Sequence, residues 1–148
     1  MAKLGRKKGK ILLVEDNAAD IRLIEKVVQD NKFVTKLNVV RDGVEAVDFL
    51  KNHGKYSHAE KPDLVLLDLN LPKKNGFYVL EKIKQDEELK HLPIVVLTIS
   101  DARDDLVRAY DLHVNCYVLK PLEVKEFYRI INSIVDFWFN VVITIDEE

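Results

Sequence analysis

A chain of 148 residues, 47% hydrophobic and 32% charged, is long enough to bury one substantial core and too short for two ordinary domains. That balance excludes a disordered polymer, the lone Cys116 excludes an internal disulfide, and a net charge of −2 exerts no overall pull toward nucleic acid or anionic lipid. No apolar run approaches the roughly 20 residues that span a bilayer, and no apolar segment follows the charged N-terminus as in a signal peptide, so a cytoplasmic protein is expected.

Five of the first ten residues are basic (Lys3, Arg6, Lys7, Lys8, Lys10), and residues 1–9 read as a basic, flexible tail. Residues 10–139 read as one domain. Lys10 to Glu15 is a continuous apolar run without alternation, as in a strand covered on both faces. Asn17 offers a helix cap, and Ile21, Ile24, Val27 and Val28 recur at helical spacing. Leu37 to Arg41 reads as a second strand. Val44, Val47 and Leu50 mark a helix closed by Asn52-His53-Gly54. Pro62 to Asp68 is a third buried strand, followed by a loop from Asn70 to Gly76 and a helix carrying Phe77, Leu80 and Ile83. Pro93 to Thr98 is the fourth strand, and Ser100 or Asp101 caps a helix bearing Leu106, Val107 and Tyr110. Asn115 to Leu119 is the fifth, and a last helix runs from about Leu122 toward Trp138. Five β-then-α units with short connections predict an α/β fold, a five-stranded parallel sheet doubly wound as (βα)5.

In such sheets ligands sit beyond the carboxyl ends of the strands. The polar residues ending these strands are Glu15-Asp16, Asp68, Thr98 and Lys120. Each acid taken alone reads as a helix cap or a solvated turn. Gathered at one edge, three carboxylates repel one another unless a cation joins them, and a few hard oxygen ligands with water suit Mg²⁺. Asp68 can then serve as an oxygen nucleophile toward phosphorus, with the ion, Lys120 and the Thr98 hydroxyl neutralising charge on the equatorial oxygens.

The set Glu15-Asp16, Asp68, Thr98 and Lys120-Pro121, with Leu66-Leu-Asp-Leu-Asn-Leu-Pro72 and Gly76, resembles the receiver domain of two-component response regulators over roughly residues 10 to 138. The resemblance implies the CheY-like, flavodoxin-like sheet with strand order 2-1-3-4-5. It implies Asp16 and Asp68 as direct Mg²⁺ ligands, Glu15 acting through a bound water and Asn70 through its main-chain carbonyl. Asp68 would be the phosphoacceptor and Lys120 the partner of the phosphoryl group, joined to Pro121 by a cis bond. Thr98 and Tyr117 fall on the two switch positions. A histidine kinase or phosphotransfer protein would donate the phosphoryl group to a regulator that is no enzyme toward foreign substrates. The runs Asp68 to Gly76, Tyr110 to Tyr117 and Ser133 to Trp138 are similar to the small single-domain regulators that partner phytochrome-type histidine kinases. Two departures stand out: Ile99, where relatives commonly carry a small residue after the switch hydroxyl, and Asn75, where many have Asp.

The last helix carries Val124, Phe127, Ile130, Ile131, Ile134, Val135, Phe137 and Trp138, a wider apolar stripe than one sheet face requires. The extension 140–148 holds the β-favouring run Val141 to Ile145. A homodimer through the fourth helix, fifth strand and fifth helix, helped by a strand-like extension, is the favoured reading over a tail folded back on its own domain. The rival chemistry is a haloacid-dehalogenase-type phosphohydrolase, which needs a second Asp two residues after the nucleophile; Asn70 stands there. A receiver-like scaffold that takes no phosphate would lack an acid or the lysine, and none is missing. The acidic first loop would repel a phosphate-bearing cofactor of the flavodoxin kind, and no DNA-binding segment follows residue 138. His53, His58, His91 and His113 share no metal-ligand spacing, Cys116 reads as a small core residue, and Asp101, Asp104 and Asp105 suit the start of a helix.

Overall fold

The apolar runs that read as buried strands lie side by side in one sheet. The computed structural model describes the backbone of residues 2–6, 9–141 and 143–147 and the side chains of residues 9–140. In chain order the strands are β1 (Ala2–Arg6), β2 (Lys10–Val14), β3 (Lys36–Val40), β4 (Leu64–Leu67), β5 (Ile94–Thr98), β6 (Cys116–Leu119) and β7 (Ile143–Glu147). The helices are α1 (Ala18–Asp30), α2 (Gly43–Leu50), α3 (Gly76–Gln85), α4 (Arg103–Asp111) and α5 (Val124–Asp136). Strands β2 to β6 form the parallel sheet in the order β3-β2-β4-β5-β6, which is the expected 2-1-3-4-5 once the N-terminal strand is counted.

Alternate residues of each central strand feed opposite layers, because successive side chains of a strand point to opposite faces. Leu12, Val14, Val65, Leu67, Ile94 and Val96 meet Val47, Leu50, Phe77, Leu80 and Ile83 from α2 and α3. Ile11, Leu13, Leu64, Leu66, Val95 and Leu97 meet Ile21, Ile24 and Val27 of α1 and Phe127, Ile131 and Val135 of α5. Each fully buried aliphatic side chain of this kind contributes about 1.5–3 kcal/mol, so the two layers hold the strand ends in register.

Local chemistry sets the helix starts beside the carboxyl edge. The side chains of Asn17, Asp42 and Asn75 accept hydrogen bonds from the backbone N–H groups of Asp20, Glu45 and Tyr78, starting α1, α2 and α3. Helix α4 departs from the expected caps: Ala102 occupies the cap position without a side-chain bond. The Ser100 hydroxyl instead donates to Asp105 at 2.6 Å, so it is spent inside the first turn.

The ends of the chain also differ from a solvated tail. Ala2–Arg6 is a strand that pairs antiparallel with β7, from Ala2 opposite Glu147 to Arg6 opposite Ile143. Two segments that each need partners for their backbone groups supply them to one another. The apolar stripe of α5 and of the helical turn that follows it, Phe137–Val141, divides as well. Phe127, Ile131, Val135 and Phe139 are buried, whereas Val124 and Phe137 are exposed.

Candidate functional site

Three loops meet where β2, β4 and β6 end. Glu15 and Asp16 follow β2, Asp68 follows β4, and Lys120 follows β6. Parallel pairing sets Val14 beside Leu67, and the Asp68 N–H donates to the Val14 carbonyl at 3.0 Å, so the acids emerge at one level. The Lys120 N–H donates to the Thr98 carbonyl at 2.8 Å, which pins the lysine backbone to the end of β5.

Carboxylate oxygens of Glu15, Asp16 and Asp68 gather within 4.8 Å of one another. Glu15 is 1% exposed and Asp68 6%, while Asp16 faces solvent. Such crowding of hard oxygen donors suits a divalent cation, and water can reach it through the exposed Asp16. The Lys120 ammonium spends its three protons on three acids: Glu15 at 2.5 Å, Asp20 at 2.8 Å and Asp68 at 2.9 Å. The other oxygen of Glu15 accepts from the Asp16 and Asn17 N–H groups, and the other oxygen of Asp68 from the Asn70 N–H at 3.2 Å.

Burial drives the electrostatics of this cluster. Desolvation raises the Glu15 carboxyl, the Lys120 hydrogen bond pulls it down and the Asp68 charge adds to the rise, leaving it pushed up to about 7. Desolvation alone would lower the Lys120 ammonium. Its hydrogen bonds to Asp20, Glu15 and Asp68 outweigh that cost, so it lies above the ordinary lysine range and is charged at any physiological pH.

Around the acids stand the two expected switch residues. Thr98 is fully buried, and its hydroxyl oxygen accepts from the Ser100 N–H at 3.3 Å. The Tyr117 phenol donates to the Ser100 carbonyl at 2.8 Å, so both touch the same stretch of the loop between β5 and α4. Ile99 within that loop is 69% exposed. An open depression of about 490 Å³ adjoins the site, with Asp16, Asn70, Asn75, Asp105 and Arg108 in its wall. Glycine makes the loop after β4 possible. A Cβ on Gly76 would lie 2.5 Å from the Asp68 carbonyl oxygen, and one on Gly43 would strike the Lys74 carbonyl.

The structure thus brings together Glu15, Asp16, Asp68 and Lys120, and places Asn70 on the loop after β4, Thr98 at the end of β5 and Tyr117 within β6. It corrects one expectation: no cis peptide bond occurs among the described residues, so Lys120–Pro121 is trans, the isomer that X–Pro bonds favour by about 0.5–1 kcal/mol. It also adds Asp20. Reading strand ends alone overlooks that residue, because it belongs to the first turn of α1; its position three residues after the Asn17 cap was the available signal.

A doubly wound parallel sheet with buried acids and a lysine at its carboxyl edge defines a receiver-type phosphosignalling fold. The model of the response regulator receiver domain matches residues 11–132, and the chain belongs to that family. It is 46% identical over 132 residues to the response regulator Rcp1 of Synechocystis sp., covering 89% of this chain and 90% of that protein. The crystal structure of the phosphorylated cyanobacterial phytochrome response regulator RcpA superposes with a TM-score of 0.90 at 45% identity, over 97% of this chain and all of that one. The Mn²⁺-bound form of Rcp1 superposes at 0.87 with 44% identity, over 93% of this chain and 98% of that one. The acidic cluster fits the same property, binding of a divalent metal. Among the described residues no helix is long and apolar enough to cross a membrane.

Proposed function

We propose that Asp68 is the phosphoacceptor of a cytoplasmic response regulator and that Mg²⁺ is its working ion. The observation that carries this reading is the reach of the Lys120 ammonium, 2.9 Å, to a carboxylate that is 6% exposed at the end of β4. Glu15, Asp16 and Asp68, with the Asn70 main chain, would hold the ion, which supplies charge neutralisation on phosphoryl oxygens. A carboxylate oxygen of Asp68 attacks phosphorus of a phosphohistidine, the N–P bond breaks, and its electron pair leaves with the imidazole nitrogen. Lys120 compensates the charge that stays on the phosphoryl oxygens. The Thr98 hydroxyl and the Tyr117 ring are the groups that answer that charge, since both are tied to Ser100 and a shift in one loop moves both.

The donor is a histidine kinase or phosphotransfer protein, of the phytochrome type by analogy with RcpA and Rcp1. The output surface is the face built by α4, β6 and α5, and its occupant is a second copy of the chain. Leu106, Val107, Tyr110, Leu119 and Val124 are exposed on those elements and Phe137 just after α5, a set of apolar groups that a second copy would cover. Intact-mass analysis after incubation with Mg²⁺ and a small acyl-phosphate donor tests the acceptor. The parent should gain one phosphoryl group and Asp68→Asn should gain none; a gain that persists in the variant assigns the site elsewhere.

A further inference from the structure

Three acids share the Lys120 ammonium, yet only two belong to the group that gathers around the cation. Glu15 and Asp68 lie in that group; Asp20 does not. During phosphoryl transfer Asp68 becomes an acyl phosphate, and a bound ion competes with Lys120 for Glu15. Both contacts therefore change as the site works, while the 2.8 Å bond to Asp20 has no reason to. Asp20 is itself well placed to serve as a fixed point. Its backbone N–H is held by the Asn17 side chain at 3.0 Å, and Ile21, the next residue, is buried in the core. Lys120 needs such a point, because a lysine side chain is a flexible four-carbon stem ending in a compact charge.

We propose that Asp20 is a positioning residue that, by accepting a hydrogen bond from the Lys120 ammonium, keeps this lysine aimed at the acceptor while Glu15 and Asp68 exchange partners. The proposal rests on the phosphoacceptor reading of Asp68 and adds to it a residue that never touches the phosphoryl group. The competing explanation is a purely local one, an acid favoured at the start of α1 by the helix dipole. The two differ over Asp20→Asn. That substitution removes the charge, as Asp20→Ala does, but leaves an oxygen able to accept from Lys120. A helix-dipole role would treat the two variants alike.

The test uses the full chain with both variants and two readouts. Phosphorylation by a small acyl-phosphate donor with Mg²⁺ is followed by intact mass, and the Lys120 ammonium is followed by ¹⁵N side-chain NMR without metal. Loss of alignment should slow Asp20→Ala about tenfold, with Asp20→Asn recovering to within about threefold of the parent. The Lys120 ammonium signal should persist in the parent and in Asp20→Asn, and vanish into solvent exchange in Asp20→Ala. Asp20→Ala reacting at the parent's rate overturns the proposal, and so does Asp20→Asn falling as far as Asp20→Ala. If the parent itself takes up no phosphate, the phosphoacceptor reading fails, and the ammonium signals alone decide whether Asp20 holds Lys120.

Discussion

Glu15→Gln is the sharpest test of the electrostatics at the sheet edge. The Glu15 carboxyl is buried and pushed up to about 7 from its ordinary 4.5, so without metal the folded chain keeps a proton that the unfolded chain releases. A carboxyl raised in this way contributes stability that is complete below 4.5 and is lost as pH rises through about 7. At about 1.4 kcal/mol per pH unit, the span from pH 5 to pH 7 corresponds to about 2–3 kcal/mol. Gln keeps the shape and an accepting oxygen for Lys120 but does not titrate. Lys120, held above its ordinary range, stays charged throughout and adds no slope. Urea unfolding in a chelating buffer should therefore show Glu15→Gln gaining on the parent by roughly 2 kcal/mol between pH 5 and pH 8. Excess Mg²⁺ should shrink that gain, because the ion favours the charged carboxyl that only the parent has. Parallel stability curves for the two proteins in chelator would refute the reasoning, since burial would then impose no protonation on Glu15.

Three further outcomes are expected. Ile99 is exposed directly after Thr98, where a branched side chain would narrow access to a phosphoryl group on Asp68, so Ile99→Ala should change the rate of phosphorylation or dephosphorylation by intact-mass kinetics; unchanged rates for both remove the idea. Gly43→Ala should cost about 1–3 kcal/mol in thermal unfolding and slow phosphorylation, because its methyl group would strike the Lys74 carbonyl and displace the acceptor loop. Truncation after Asn140 should lower the sedimenting mass if the extension helps join two copies, and an unchanged mass leaves it out of assembly.

Much of this architecture was legible because it rests on local pattern. Ile11 to Val14 and Leu64 to Leu67 are apolar without alternation, and a strand buried on both faces leaves that signature. The acids and Lys120 were legible for a related reason: a polar residue ending a buried run must emerge at the sheet's edge. What stayed hidden depends on partners distant in sequence or on competition between local bonds. The pairing of Arg6 with Ile143 joins the two ends of the chain, and nothing near either residue announces the other. Ser100 had the chemistry of a cap, but its hydroxyl donates to Asp105 and the cap position falls to Ala102 instead. Asp20 looked like an ordinary first-turn acid because its contact with Lys120 spans 100 residues.

These two kinds of information meet in the Lys120 ammonium. Its three protons are shared among a strand-end acid that burial tends to neutralise, the acid proposed to become an acyl phosphate, and a helix acid that does neither. Had all three been metal ligands, the ion would have competed with lysine for every partner and the cation nearest the acceptor would have been free to swing away. With one partner outside the metal group, the lysine can stay in place as charge is added at Asp68. On the proposed reading the change in charge is then answered by Thr98 and Tyr117, which are tied to one loop through Ser100. A site that, as proposed, keeps its lysine still while its hydroxyl and aromatic ring respond would direct the signal toward α4 and β6, which carry the exposed Leu106, Val107, Tyr110 and Leu119.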